Sequence, residues 1–169
     1  DVEEIPTHGG SLRIYGAHEK DARAIELSVE AILEKERNSG LQKIETYGGF
    51  QSEANKLKND LLEFLISKKN NSETVVAYGA AAKGNTLLNF AGIKPDLLPF
   101  VCDAAPSKQG LYLPGSHIPI VSPMALAEYR PDYVIIFPWN LVDEIKPEIS
   151  ILAGDSTRYV TPIPELKIF

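Results

Sequence analysis

A chain of 169 residues, 44% hydrophobic and 24% charged, has ordinary globular composition and is long enough to bury a core. Its formal net charge is -6, and its lysines are scattered among acids, which excludes the basic face that a nucleic-acid binder needs. The single cysteine, Cys102, excludes an internal disulfide and fits a reducing, cytoplasmic setting, while no apolar run approaches the roughly 20 residues that span a bilayer.

The chain opens on Asp-Val-Glu-Glu with no signal peptide, and reads as an internal cut. Residues 1–17 carry two β-prone runs, Val2 to Ile5 and Ser11 to Tyr15, joined by Pro6-Thr7-His8-Gly9-Gly10. Paired glycines between such runs predict a hairpin. Residues 18–71 read as a helical segment. Ile25, Val29, Ile32 and Leu33 recur at helical spacing before Asn38-Ser39-Gly40 stops the run. After Gly48-Gly49, the residues Phe50, Leu57, Leu61, Leu62 and Leu65 form the apolar stripe of a second helix. Both stripes are read as core.

From residue 72 to 169 short apolar runs alternate with helical patterns. Thr74 to Tyr78, Leu98 to Cys102, Ile118 to Val121, Tyr133 to Phe137 and Arg158 to Pro162 read as strands. Thr86 to Phe90, Met124 to Glu128 and Leu141 to about Leu152 read as helices, the last ending at Gly154. This alternation predicts an α/β fold: a Rossmann-like, mostly parallel sheet with flanking helices, preceded by the helical segment and the hairpin. The strands show little polar alternation, as a sheet covered on both faces requires.

The informative stretch is Tyr78-Gly79-Ala80-Ala81-Ala82-Lys83-Gly84-Asn85-Thr86, a strand–turn–helix junction. Doubly wound folds bind phosphate at such a junction, on the free N–H groups and dipole of the helix. Gly79 and Gly84 permit a tight turn and close approach. Ala80 and Ala81 keep the loop low, and Lys83 adds a cation. Asn85 or Thr86 is read as a helix cap or a donor to a phosphate oxygen. Ala81 stands where Gly-x-Gly-x-x-Gly has its second glycine, and Lys83 precedes Gly84, so neither the dinucleotide pattern nor a P-loop is matched.

Asp103, a little over twenty residues beyond Gly79, is placed either to hold a ribose hydroxyl or to form a turn. The following loop carries Lys108 and ends at His117, which either donates to a phosphate or sugar or is merely packed. Trp139 and Asn140 leave the strongest strand; Trp139 either stacks on a base or packs in the core, and Asn140 either reads a base edge or caps a helix. No catalytic constellation and no metal-ligand spacing is present: the three histidines lie far apart and no Cys/His pair has zinc spacing.

The segment Gly79 to Asn85 resembles the C-terminal domain of sugar C-methyltransferases, which act on nucleotide-linked deoxysugars. The resemblance continues through Pro6 to Arg13, Lys108 to Ile120, Pro131 to Val134, Pro138 to Leu141 and Pro162 to Glu165. It implies a three-part enzyme with a zinc-binding N-terminal domain, a central domain that holds S-adenosylmethionine, and a Rossmann-like C-terminal domain. The family's chemistry is proton abstraction beside a keto group, followed by attack of the enolate on the methyl donor, and it needs a positioned base. The zinc cysteines, the donor-binding unit and the Tyr-x-Glu-His element of the family have no counterpart here, and His8 is not read as that base. The partners expected from the resemblance are a nucleotide-diphosphate sugar, typically on deoxythymidine diphosphate, and the chain's own upstream methyltransferase domain. No cofactor and no nucleic acid or membrane is expected to bind this chain itself. Two other readings compete: a nicotinamide-dependent oxidoreductase domain, and a lid or interaction domain without a ligand.

Overall fold

A computed structural model of the protein describes residues 1–7 and 10–169; His8 and Gly9, in the expected hairpin turn, lie outside the described residues. The chain divides into two compact units, Asp1–Ser52 and Glu53–Phe169.

In the first unit, β1 (Val2–Ile5) and β2 (Ser11–Ile14) pair antiparallel, with Val2 opposite Ile14 and Ile5 opposite Ser11. This is the expected hairpin. Helix α1 covers Leu27–Asn38 and starts two residues after Ile25, which is exposed. Its stripe is not core: α1 has no buried residue, and Leu33 is exposed. The stripe is amphipathic as predicted, but periodicity records which face is apolar and not whether anything in the same unit covers it. Ser28 Oγ donates to Asp1 Oδ1 at 2.7 Å, and Lys35 pairs with Glu4. A single 3-10 turn, Ile44–Tyr47, precedes α2 (Phe50–Asn70), most of which belongs to the second unit. There α2 buries Leu61, Phe64 and Leu65, whereas Phe50 at its start is exposed.

The second unit is built on β3 (Val75–Tyr78), β4 (Val101–Cys102), β5 (Ile120–Val121), β6 (Tyr133–Ile136), β7 (Arg158–Thr161) and β8 (Lys167–Ile168). Among the described residues these form one sheet in the order β5-β4-β3-β6-β7-β8, parallel throughout except for β8. Helices α3 (Ala82–Ala91), α4 (Ala125–Tyr129) and α5 (Val142–Ala153) connect β3 to β4, β5 to β6 and β6 to β7, and a loop connects β4 to β5. The sheet has the expected α/β character. Every residue of β3 and β6 is buried, which is why their sequences lack polar alternation. Val75 and Ala77 of β3 join one apolar layer with Leu61, Phe64, Leu87 and Leu88; Val76 and Tyr78 join the other with Leu126, Ile149 and Tyr159. The pleat sends successive side chains to opposite faces, so one four-residue strand feeds both layers.

Two strands are shorter than the sequence suggests. The run Leu98–Cys102 yields only Val101–Cys102, and the run Ile118–Val121 only Ile120–Val121. Pro99 and Pro119 remove ladder donors at those ends. The edge strand β8, two residues long and antiparallel, has no signal in the sequence patterns.

The order β5-β4-β3-β6-β7 reverses direction at β3. The first connections run outward from β3 through β4 to β5, and the chain then returns to β6 on the other side. In open α/β sheets the crevice at the carboxyl ends of the two strands flanking such a reversal is the ligand site. Here those ends are Tyr78-Gly79 and Ile136-Phe137-Pro138.

Candidate functional site

Two loops face each other across this crevice. The first is the Gly79–Ala81 turn that leaves β3 and opens α3, and the second is the Phe137–Leu141 segment that leaves β6. Gly79 adopts φ +94°, a conformation that side chains disfavour, and an added Cβ would lie 2.3 Å from Pro138 Cδ. Its N–H donates to Cys102 O at 2.7 Å, tying the turn to the end of β4. At Gly84 a Cβ would meet the Phe137 side chain at 2.6 Å. Both glycines therefore serve the close packing of one loop on the other.

Ala81 is the N-cap of α3 and offers no side-chain cap. Asn85 and Thr86, read from sequence as possible caps, do not cap: Asn85 N–H makes the first helical bond to Ala81 O, and Thr86 Oγ1 donates back to Ala82 O at 3.0 Å. Among the described residues the backbone N–H groups of Ala82, Lys83 and Gly84 have no acceptor. They form a turn of donors at the positive end of a helix dipole, facing the carboxyl edge of the sheet.

Two lysines reach this edge in different electrostatic states. Lys108 Nζ lies 2.9 Å from Asp103 Oδ2 and donates to Ala80 O at 3.1 Å, so its charge is paired. Lys83 Nζ hydrogen-bonds Asn140 Oδ1 and lies 4.4 Å from the centre of the Trp139 ring. No carboxylate among the described residues pairs with it. Burial pulls the Lys83 ammonium below the ordinary lysine value. The crevice thus carries one cation held by neutral partners.

Asp103 at the end of β4 is committed to the loops. Oδ2 accepts from Ala80 N–H at 2.8 Å as well as from Lys108, and Oδ1 accepts from Ala105 N–H at 2.9 Å. Gln109, which the sequence patterns do not single out, donates to the Asp103 carbonyl at 2.9 Å. Burial disfavours the charged carboxylate, but the hydrogen bonds from Lys108, Ala105 and Ala80 outweigh it and hold Asp103 below the ordinary carboxylate range.

His117 is not brought to this cluster. It lies in the turn where Leu113 N–H meets Ile118 O, on the amino side of β5, with φ +59°. That turn is pinned to the far end of α3: Asn89 Nδ2 donates to Pro114 O at 2.9 Å and Lys94 Nζ to Gly115 O at 2.6 Å. The loop after Asp103 starts at the carboxyl edge and crosses to the amino edge, a reversal that spacing alone does not reveal. Trp139 is half-buried, neither in the core nor fully free.

Two surface grooves lie elsewhere. One of about 430 Å³ is lined by Lys56, Asp60, Phe64, Lys68 and Glu165, and one of about 270 Å³ by Glu73, Pro95, Asp96 and Tyr129. The second lies at the amino edge of the sheet, the first mixes charges of both signs, and neither contains a residue of the crevice. Strand order and unpaired donors, rather than hollow volume, mark the β3/β6 crevice as the candidate site. No group of His, Cys, Asp or Glu among the described residues is arranged to hold a metal ion, and no helix is long and apolar enough to cross a membrane.

Over 168 residues the chain is 32% identical to the C-methyltransferase NovU of Streptomyces niveus, an alignment that covers 99% of this chain and 40% of that protein. Residues 6–164 match the family model of the C-methyltransferase C-terminal domain, a span that takes in the crevice and nearly all of both compact units. The chain therefore belongs to the C-methyltransferase C-terminal domain family.

Proposed function

We propose that this chain is the sugar-nucleotide-binding part of a cytoplasmic, S-adenosylmethionine-dependent C-methyltransferase whose substrate is a keto-deoxysugar carried on a nucleoside diphosphate, deoxythymidine diphosphate in the first instance. The observation that carries the reading is the Lys83 ammonium, unpaired by any carboxylate, at the mouth of the β3/β6 crevice. It stands beside the free N–H groups of Ala82, Lys83 and Gly84. A diphosphate needs that combination of a point charge and convergent donors. Gly79, Ala80, Ala81, Asn85 and Thr86 shape the turn and the first turns of α3, while Lys108 and Asp103 hold the loop beside it.

We place the methyl donor outside this crevice. A nucleoside cofactor anchored at such a crevice uses an acid at the end of the second strand to hold its ribose. In this chain both oxygens of that acid, Asp103, are engaged by Ala80, Ala105 and Lys108. The same geometry weakens the nicotinamide reading. We assign the donor and the base that starts the reaction to an upstream domain, and to this chain the binding and orientation of the sugar nucleotide. The 169-residue chain alone is then inactive, and methyl transfer by it above a no-enzyme control would refute that assignment.

Calorimetric titration with deoxythymidine diphosphate tests the reading, with reduced nicotinamide dinucleotide as control. Selective binding of the diphosphate is expected, and Lys83→Ala should weaken it about ten- to a hundred-fold, the loss of one charge-assisted contact worth roughly 1.5–3 kcal/mol. Binding of the nicotinamide alone would favour the oxidoreductase reading, and binding of neither would favour a lid or interaction domain.

A further inference from the structure

Lys83 and the pair Trp139-Asn140 stand on opposite lips of the crevice, one after β3 and the other after β6. A lysine on a surface loop samples many rotamers, and a phosphate that captures it must supply the ordering free energy. Here the ammonium is held at two points, by the Asn140 amide oxygen and by the face of the Trp139 ring. Both partners orient a cation without cancelling it, since an amide and an indole carry no net charge. The contrast is Lys108, whose partner is the Asp103 carboxylate.

From this contrast we infer that Asn140 and Trp139 are positioning residues, which hold the Lys83 ammonium across the crevice so that an incoming diphosphate meets an ordered, uncompensated charge. They act through Lys83 and do not themselves read the base or the sugar. The inference rests on the reading of the crevice as a diphosphate site.

The test is a double-mutant cycle read by calorimetry with deoxythymidine diphosphate, on Asn140→Ala, Lys83→Ala and the double variant. Each is first checked for a cooperative melt. Asn140→Ala should weaken binding roughly two- to tenfold, the cost of ordering one freed side chain, and should add nothing once Lys83 is gone. Equal losses in both backgrounds would mean that Asn140 touches the ligand, and would overturn the inference. Asn140→Asp should weaken binding about tenfold or more, because a carboxylate on Lys83 cancels the charge; wild-type affinity in that variant would also overturn it. Trp139 is the single tryptophan, so its emission reports the contact without any ligand. Lys83→Met should change that emission, and an unchanged spectrum would sink the arrangement by itself. If the wild-type chain binds no diphosphate while Lys83→Met still alters the emission, the crevice reading fails and the pinning of Lys83 stands only as a structural contact.

Discussion

Gly84 and Phe137 are in such close contact that a methyl group on Gly84 would lie 2.6 Å from the ring carbon Cγ of Phe137 and 2.7 Å from its Cβ. These atoms form the stem of a fully buried side chain at the end of β6 and cannot swing aside. The second glycine of the loop is therefore a packing residue, which lets α3 approach the sheet closely enough for its free N–H groups to face the crevice.

Gly84→Ala should consequently destabilise the fold even though alanine is the better helix former. Overpacking costs about 1–3 kcal/mol, against a helix-propensity gain of about 1 kcal/mol. A lower urea midpoint with an unchanged slope would register the difference. A midpoint at or above that of wild type would mean that α3 shifts freely and that the close approach is incidental.

The Asp103 carboxylate links the ends of β3 and β4 through Ala80, Ala105 and Lys108. Its folded-state pKa lies below the ordinary value. It therefore contributes stability that is fully present above the unfolded pKa of about 4 and is lost as the pH falls from there through the lower folded value. Asp103→Asn should lower stability at pH 7 and flatten part of the decline below pH 4, as read from urea midpoints across that range. An unchanged acid limb would show that the carboxylate contributes nothing there. Asp132, whose carboxyl is held low first by the Thr74 N–H and then by the Thr74 hydroxyl, and Glu73, held low first by Lys68, leave part of the decline in place.

Cys102 should be inert in the folded protein. Its side chain is buried in the layer with Tyr78 and Ile136, and burial pushes its thiol up to about 12. At pH 8 almost none of it is thiolate. A thiol-specific reagent should therefore label the chain only at the rate of global or local opening, and strongly once urea unfolds it. Rapid stoichiometric labelling under native conditions would contradict the burial of β4.

Apart from β8, the strand and helix sequence of residues 72–169 was legible without coordinates, because continuous apolar runs such as Tyr133 to Phe137 occur where a strand is covered on both faces. The Gly79–Thr86 loop was legible for the same local reason: a strand, a glycine turn and a helix start are specified within nine residues. Local pattern does not carry pairing. Whether α1's stripe is covered, whether Asp103 faces a ribose or its own loop, and whether His117 returns to the carboxyl edge all depend on what another segment does far along the chain. The structure shows α1 with no buried residue, Asp103 engaged by Ala80, Ala105 and Lys108, and the turn at His117 pinned beside the far end of α3. It also brings Lys83 against Trp139 and Asn140, more than fifty residues away, because β3 and β6 pair side by side. By itself the sequence determined the α/β alternation and the strand–glycine turn–helix junction at Gly79–Thr86. The neighbours of each charged group, and so which lysine has no carboxylate partner, were decided only by the order of the strands.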